Sequence, residues 1–227
     1  MPGHPIIRAC IFDAYGTLFD VAAAARALAE EIGPGWTSLS DIWRQKQLSY
    51  SWLRSLMREY VDFWQVTTEA LDYALTAHHL TDPGLRRRLL DLYAQLTAYP
   101  EVPPLLKRLR AAGQITGIFS NGSPAMLASA CSAAGVTDLL DHIISVDDIR
   151  VFKPDPRTYQ LVTARLGLPA PAIAFFSANG WDAQGGRHAG FHTLWINRLG
   201  LPRETMPFAP DIEANNLAQA VERLGLC

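Results

Sequence analysis

The sequence predicts an α/β fold: a Rossmann-like parallel sheet core flanked by helices, with an inserted all-helical cap subdomain. Three observations predict it. Short apolar runs recur along the 227-residue chain, and several lack the in-out alternation of a half-exposed strand, as parallel strands covered on both faces require. Helical stretches with start and stop signals separate these runs, and such alternation winds a parallel sheet right-handedly. The stretch 20–97 holds no convincing strand.

Taken in order, the first run is Ala9 to Phe12, which delivers the chain to Asp13 and the turn Ala14-Tyr15-Gly16-Thr17. In the strandless stretch, AAAARALAEEI reads as a helix and SLSDIWRQKQLSYSWLRSLMREYVDFW as one long helix, its Trp43, Leu48, Trp52, Leu56, Tyr60 and Trp64 near helical spacing. TTEALDYALTAHHL and PGLRRRLLDLYAQL follow, the second with Asp82 as its cap. An all-helical block inserted after the first strand sits over the carboxyl ends of the sheet strands, where open α/β sheets bind ligands. It therefore reads as a cap, residues 20–97, on a core made of 1–19 and 98–227. The core resumes with strands at Ile115 to Phe119, Ile143 to Val146, Ile173 to Phe176 and Thr193 to Ile196. Between them, Ser123-Pro124 with Gly135, and Asp155-Pro156 with Gly167, mark the two ends of two helices. NRLGLPRETMPFAPD is turn-rich, and IEANNLAQAVERL closes the chain as a helix.

Composition narrows the function. A net charge of -2 offers no bulk attraction for nucleic acid or an anionic membrane, and no apolar run is long enough to span a bilayer. Cys10, Cys131 and Cys227 have neither metal nor disulfide spacing and read as reduced and non-catalytic. The expectation is a cytoplasmic protein. The histidines are scattered, and no dinucleotide, Walker, zinc-protease or nucleophile-elbow motif occurs.

Four strand ends carry polar groups instead: Asp13, Tyr15 and Thr17; Ser120, Asn121 and Gly122; Lys153 and Tyr159; and Ser177, Asn179, Trp181 and Asp182. Each set alone has a local explanation in turn geometry, helix capping or surface solvation. Parallel strands point one way, so together they converge at one edge. Two carboxylates and a lysine suit a nucleophile, a base and a charge partner, because the lysine favours the ionised carboxylate and Ser, Thr and Asn can fix its oxygens.

The motifs DAYGT (13–17), FSNG (119–122), VFKPDP around Lys153 and SANGWD (177–182) resemble those of the haloacid dehalogenase-like superfamily. WRQKQLSYSWLRSLM (43–57) resembles the cap-helix signature of its L-2-haloacid dehalogenases. Most of the superfamily are magnesium-dependent phosphatases. This chain departs from them where their second acid is matched by Tyr15 and a metal-holding acid by Ala178. The resemblance therefore implies displacement at carbon, with no metal and no cofactor, and leaves a magnesium-dependent phosphatase as the alternative. A halide leaves without needing a proton.

The resemblance implies hydrolysis of short-chain (S)-2-haloalkanoic acids to (R)-2-hydroxyalkanoic acids and halide. Asp13 attacks Cα with inversion, and the resulting ester is hydrolysed. Arg44, at the start of the long cap helix, receives the halide with Asn121, and Asp182 activates water. Lys153, Ser177 and Asn179 orient the carboxylates, while Thr17 supports Asp13, and Tyr159 supports Lys153 and the pocket's hydrogen-bond frame. Ser120 and nearby backbone N–H groups bind the substrate carboxylate. Tyr15, Gln45, Leu48, Phe63 and Trp181 line the pocket. The resemblance also implies a homodimer; the apolar helix around Trp52 to Trp64 could bury a second copy or its own core.

Overall fold

In the computed structural model, which describes residues 6–226, the strands are β1 (Ala9–Phe12), β2 (Ile115–Ser120), β3 (His142–Ser145), β4 (Ile173–Ser177), β5 (His192–Ile196) and β6 (Ile212–Ala214). They form one sheet in the order β3-β2-β1-β4-β5-β6, parallel at every described pairing. The helices are α1 (Ala23–Ala27), α2 (Ala29–Ile32), α3 (Trp36–Met57), α4 (Phe63–Ala77), α5 (Pro83–Tyr93), α6 (Val102–Ala111), α7 (Pro124–Ala133), α8 (Pro156–Leu166), α9 (Gly180–His188) and α10 (Leu217–Leu224).

All four β1 residues are buried, as are all five of β4, which is why these runs read as unbroken apolar segments. From β1 the chain steps outward to β2 and β3, then returns to β4 on the opposite side. That reversal makes the carboxyl ends of β1, β2 and β4 the ligand-binding edge of such a sheet. Helices α1 to α5 all lie between β1 and β2 in the chain. Their two connections to the sheet run side by side: Asp20 N–H donates to the Thr97 carbonyl at 3.1 Å and Tyr99 N–H to the Leu18 carbonyl at 2.9 Å.

The capping signals at 82, 123 and 155 all act. Asp82, Ser123 and Asp155 accept backbone N–H bonds at the starts of α5, α7 and α8, and Gly167 ends α8 in the left-handed region.

Three readings need correction, and one helix went unread. The single long helix from 38 to 64 is two helices: α3 stops at Met57, Arg58 turns left-handed (φ 61°), and Asp62 accepts from Gln65 N–H to start α4. A strong N-cap inside an apolar run outweighs continued periodicity. The segment 22–32 is likewise split at Leu28 into α1 and α2. Residues 212–214 are strand rather than helix, because they pair with the free edge of β5; Asn216 caps α10 only after them. Helix α6 was unassigned in the sequence: Pro103 and Pro104 look like breakers, yet they fall in its first turn, where no N–H bond is lost. Cys10 and Cys131 are buried and in no disulfide among the described residues, and burial pushes Cys131 up to about 11; Cys227 lies outside the described residues. Among the described residues, no helix is long and apolar enough to cross a membrane.

Candidate active site

Residues from the ends of β1 and β4 and from α9 meet at Lys153, which follows β3. Its ammonium is 1% exposed and donates to Asp13 Oδ1 at 3.1 Å, Asp182 Oδ2 at 3.0 Å and the Phe119 carbonyl at 2.7 Å. All three of its protons are thereby used. The remaining Asp13 oxygen, Oδ2, accepts from Thr17 Oγ1 at 3.0 Å and Asn179 Nδ2 at 2.9 Å. Thr17 is itself fixed, accepting from Ala178 N–H at 2.8 Å. The carboxylate at the tip of β1 is thus held from three sides.

Asp182 is wholly buried on the first turn of α9. Ser177 Oγ donates to its Oδ2 at 3.0 Å and Tyr159 OH to its Oδ1 at 2.7 Å. Burial pushes the Asp182 carboxyl above its ordinary value and the Asp13 charge adds to this, while Lys153 pulls it down. We take the net direction as upward, because one ammonium is shared between two buried carboxylates. Tyr159 can approach this closely because residue 185 is glycine; a Cβ there would overlap the Tyr159 hydroxyl.

From α3, Arg44 reaches across to the sheet. Its guanidinium donates to the Tyr15 carbonyl at 3.0 Å, to Asn179 Oδ1 at 3.4 Å and to Gln47 Oε1 at 2.7 Å. Tyr15 is 3% exposed, stacks on Tyr93 at 5.7 Å, and packs so closely on Gly122 that a Cβ there would lie 2.7 Å from its ring. Burial pushes its phenol well above the usual value, so it stays uncharged at neutral pH.

These groups surround a tight cavity, about 10 Å³, lined by Asp13, Tyr15, Arg44, Leu48, Phe63, Ser120, Asn121, Lys153, Asn179 and Trp181. Thr17, Tyr159, Ser177 and Asp182 stand behind it and hold its wall. Asn121 Oδ1 accepts from Lys153 N–H at 2.9 Å, and Ser120 Oγ accepts from Gly122 N–H at 3.1 Å.

Three sequence expectations fail here. Gln45 is exposed and lines no part of the cavity: Arg44 and Leu48, four residues apart, face the cavity, and the next residue turns about 100° away. Tyr159 joins the pocket's hydrogen-bond frame as expected, but through Asp182 and not through Lys153, whose donors are already spent. Arg44 lies in the third turn of α3, not at its start. The residue missed was Gln47, buried and bonded to Arg44, to Thr67 Oγ1 at 2.7 Å and to Tyr93 OH at 3.0 Å. Its signal was available: Leu39, Trp43, Gln47 and Ser51 fall every four residues on the buried stripe, two of them polar.

The family model for "haloacid dehalogenase-like hydrolase" matches residues 7–190. The chain is 48% identical over 205 residues to (S)-2-haloacid dehalogenase 4A of Burkholderia cepacia, covering 90% of this chain and 88% of that one. It is 50% identical to (S)-2-haloacid dehalogenase 1 of Pseudomonas sp. (strain CBS-3), covering 90% of each. The L-2-haloacid dehalogenase of Xanthobacter autotrophicus with chloropropionic acid covalently bound superposes with a TM-score of 0.88 at 38% identity, over 97% of this chain and 98% of that one.

Proposed function

Because the chain belongs to the haloacid dehalogenase-like hydrolases, and within them to the (S)-2-haloacid dehalogenases, we propose that the buried Asp13–Lys153–Asp182 cluster runs its carbon–halogen hydrolysis. The enzyme converts short-chain (S)-2-haloalkanoic acids to (R)-2-hydroxyalkanoic acids and halide. A carboxylate of Asp13 attacks Cα from behind the carbon–halogen bond; the halide departs with the bonding pair, configuration inverts, and an ester forms on Asp13. Water then attacks the ester's carboxyl carbon and gives its proton to Asp182. Asp182 returns that proton to the departing alkoxide oxygen as the 2-hydroxy acid leaves, and the carboxyl formed on Asp13 releases water's second proton to solvent, which restores the carboxylate.

The observation that carries this reading is the pinning of Asp13 by Lys153, Thr17 and Asn179, which fixes one attacking orientation. Arg44, always charged and shielded from bulk water, receives the halide with Asn121. Ser120 and backbone N–H groups take the substrate carboxylate, while Tyr15, Leu48, Phe63 and Trp181 confine the alkyl tail. Residues 20–97 act as the cap, since Arg44 comes from α3. The chain works as a cytoplasmic homodimer; exposed Leu53 and Met57 late in α3 support an apolar face for the second copy.

The residues present do not fit a magnesium site. All four oxygens of Asp13 and Asp182 accept from protein donors, the Tyr15 carbonyl accepts from Arg44, and positions 15 and 178 bring no carboxylate. Wild-type enzyme should release halide from (S)-2-chloropropionate but not its enantiomer, at the same rate after exhaustive chelation. Phosphate release that requires added Mg²⁺, without halide release, would establish the phosphatase alternative.

A pH dependence follows from Asp182. The base must be ionised, and its carboxyl titrates above the ordinary value. Turnover should therefore fall on acidification at a pH above the normal aspartate range. A pH profile of kcat reads this directly; a limb at the ordinary aspartate value would remove Asp182 as the base.

A further inference from the structure

Two clefts adjoin the cavity, and they differ in the charge that surrounds them. The first, about 590 Å³, shares Tyr15 with the cavity; its charged lining residues are Asp62 and Asp147, with no cation. The second, about 400 Å³, lies between Trp52 of α3 and Trp181 of α9, shares Lys153 and Trp181 with the cavity, and carries one acid, Asp155, which is paired with Arg157. It also shares Ser55 with an outer groove of about 460 Å³ lined by Arg54, Arg58, Arg150 and Arg157. Ser55 Oγ accepts from Phe152 N–H at 3.0 Å, so it joins α3 to the segment that presents Lys153.

Two of these arginines are neutralised, Arg54 by Glu69 and Arg157 by Asp155. Arg58 and Arg150 are exposed and have no carboxylate partner among the described ion pairs. Both also occupy the left-handed region, at φ 61° and 53°. That region is costly for a residue with a Cβ and is usually left to glycine. Two strained arginines on one rim point to a use for their charge. Farther in, the buried indole N–H of Trp52 has no acceptor.

We propose that this arginine groove, continued between Trp52 and Trp181, is the port through which the small carboxylate substrate reaches Lys153, and that the acidic cleft is not used. The proposal rests on the haloacid reading above. A monoanion is repelled by Asp62 and Asp147 and drawn by Arg58 and Arg150, and low-dielectric indole walls focus that field.

The test is stopped-flow tryptophan fluorescence of (S)-2-chloropropionate binding to the full chain carrying Asp13→Asn, so that no alkylation follows. In that background, Arg58→Gln with Arg150→Gln should slow association roughly threefold, and the corresponding glutamate pair on the order of tenfold. Ala125→Glu, which adds a negative charge to the lining of the acidic cleft, should leave the rate unchanged. With Asp13 intact, kcat at saturating substrate should be the same for all three. An unchanged association rate in both arginine pairs overturns the port, as does slowing by Ala125→Glu alone. Should the glutamate pair fail to fold, the neutral glutamine pair decides. Absence of halide release by the wild-type chain would instead overturn the haloacid reading, so the two failures are separable.

Discussion

Asp13→Asn should reduce halide release by on the order of 10⁴-fold or more, since it removes a covalent nucleophile rather than an auxiliary group. The amide is isosteric, so the loss would not come from lost packing. It would come from replacing a carboxylate that accepts from Lys153, Thr17 and Asn179 by a group that is a poor nucleophile toward carbon. Halide measurement under single-turnover conditions is the primary readout. Intact-protein mass spectrometry is the second: wild-type enzyme quenched in acid should carry an adduct that maps to Asp13, and the variant none. Halide release at the wild-type rate, or an adduct on another residue, would remove Asp13 from the proposed role.

Lys153→Met has the other large effect, and it falls on stability as well as rate. Methionine fills much the same volume, but it leaves Asp13 and Asp182 buried with no cation between them. Breaking a buried pair in this way costs about 3–5 kcal/mol, a large fraction of a typical domain's stability. Turnover should fall on the order of 10³-fold, because Asp182 loses the cation that favours its ionised form and Asp13 loses its orienting donor. Urea denaturation measures the first effect. Adding Asp182→Asn to Lys153→Met removes one stranded charge, so it should recover part of the stability while activity stays lost. If the double variant is no more stable than the single one, the two carboxylates are not coupled through Lys153.

The site was legible in the sequence wherever a parallel sheet decides position. Asp13, Ser120, Ser177 and Asp182 follow strands that all point one way, so their convergence needed only the strands themselves. What was not legible depends on helical phase and on three-dimensional partners. Gln45 and Gln47 lie two residues apart on α3, yet one is exposed and the other buried against Arg44; choosing between them requires knowing which face of α3 meets the sheet. Strand β6 is three residues long and exists because β5 has an open edge to fill, which no local pattern records. The turn at Arg58 escaped for a related reason: it puts arginine where a glycine would normally announce a helix end.

Arg44 grips residue 15 through its backbone carbonyl and leaves the Tyr15 ring to the pocket wall. The grip does not depend on which side chain position 15 carries. Pocket shape and the proposed halide site are therefore separately mutable: residues 15, 48 and 63 can be redesigned toward bulkier acids without removing the guanidinium's backbone acceptor.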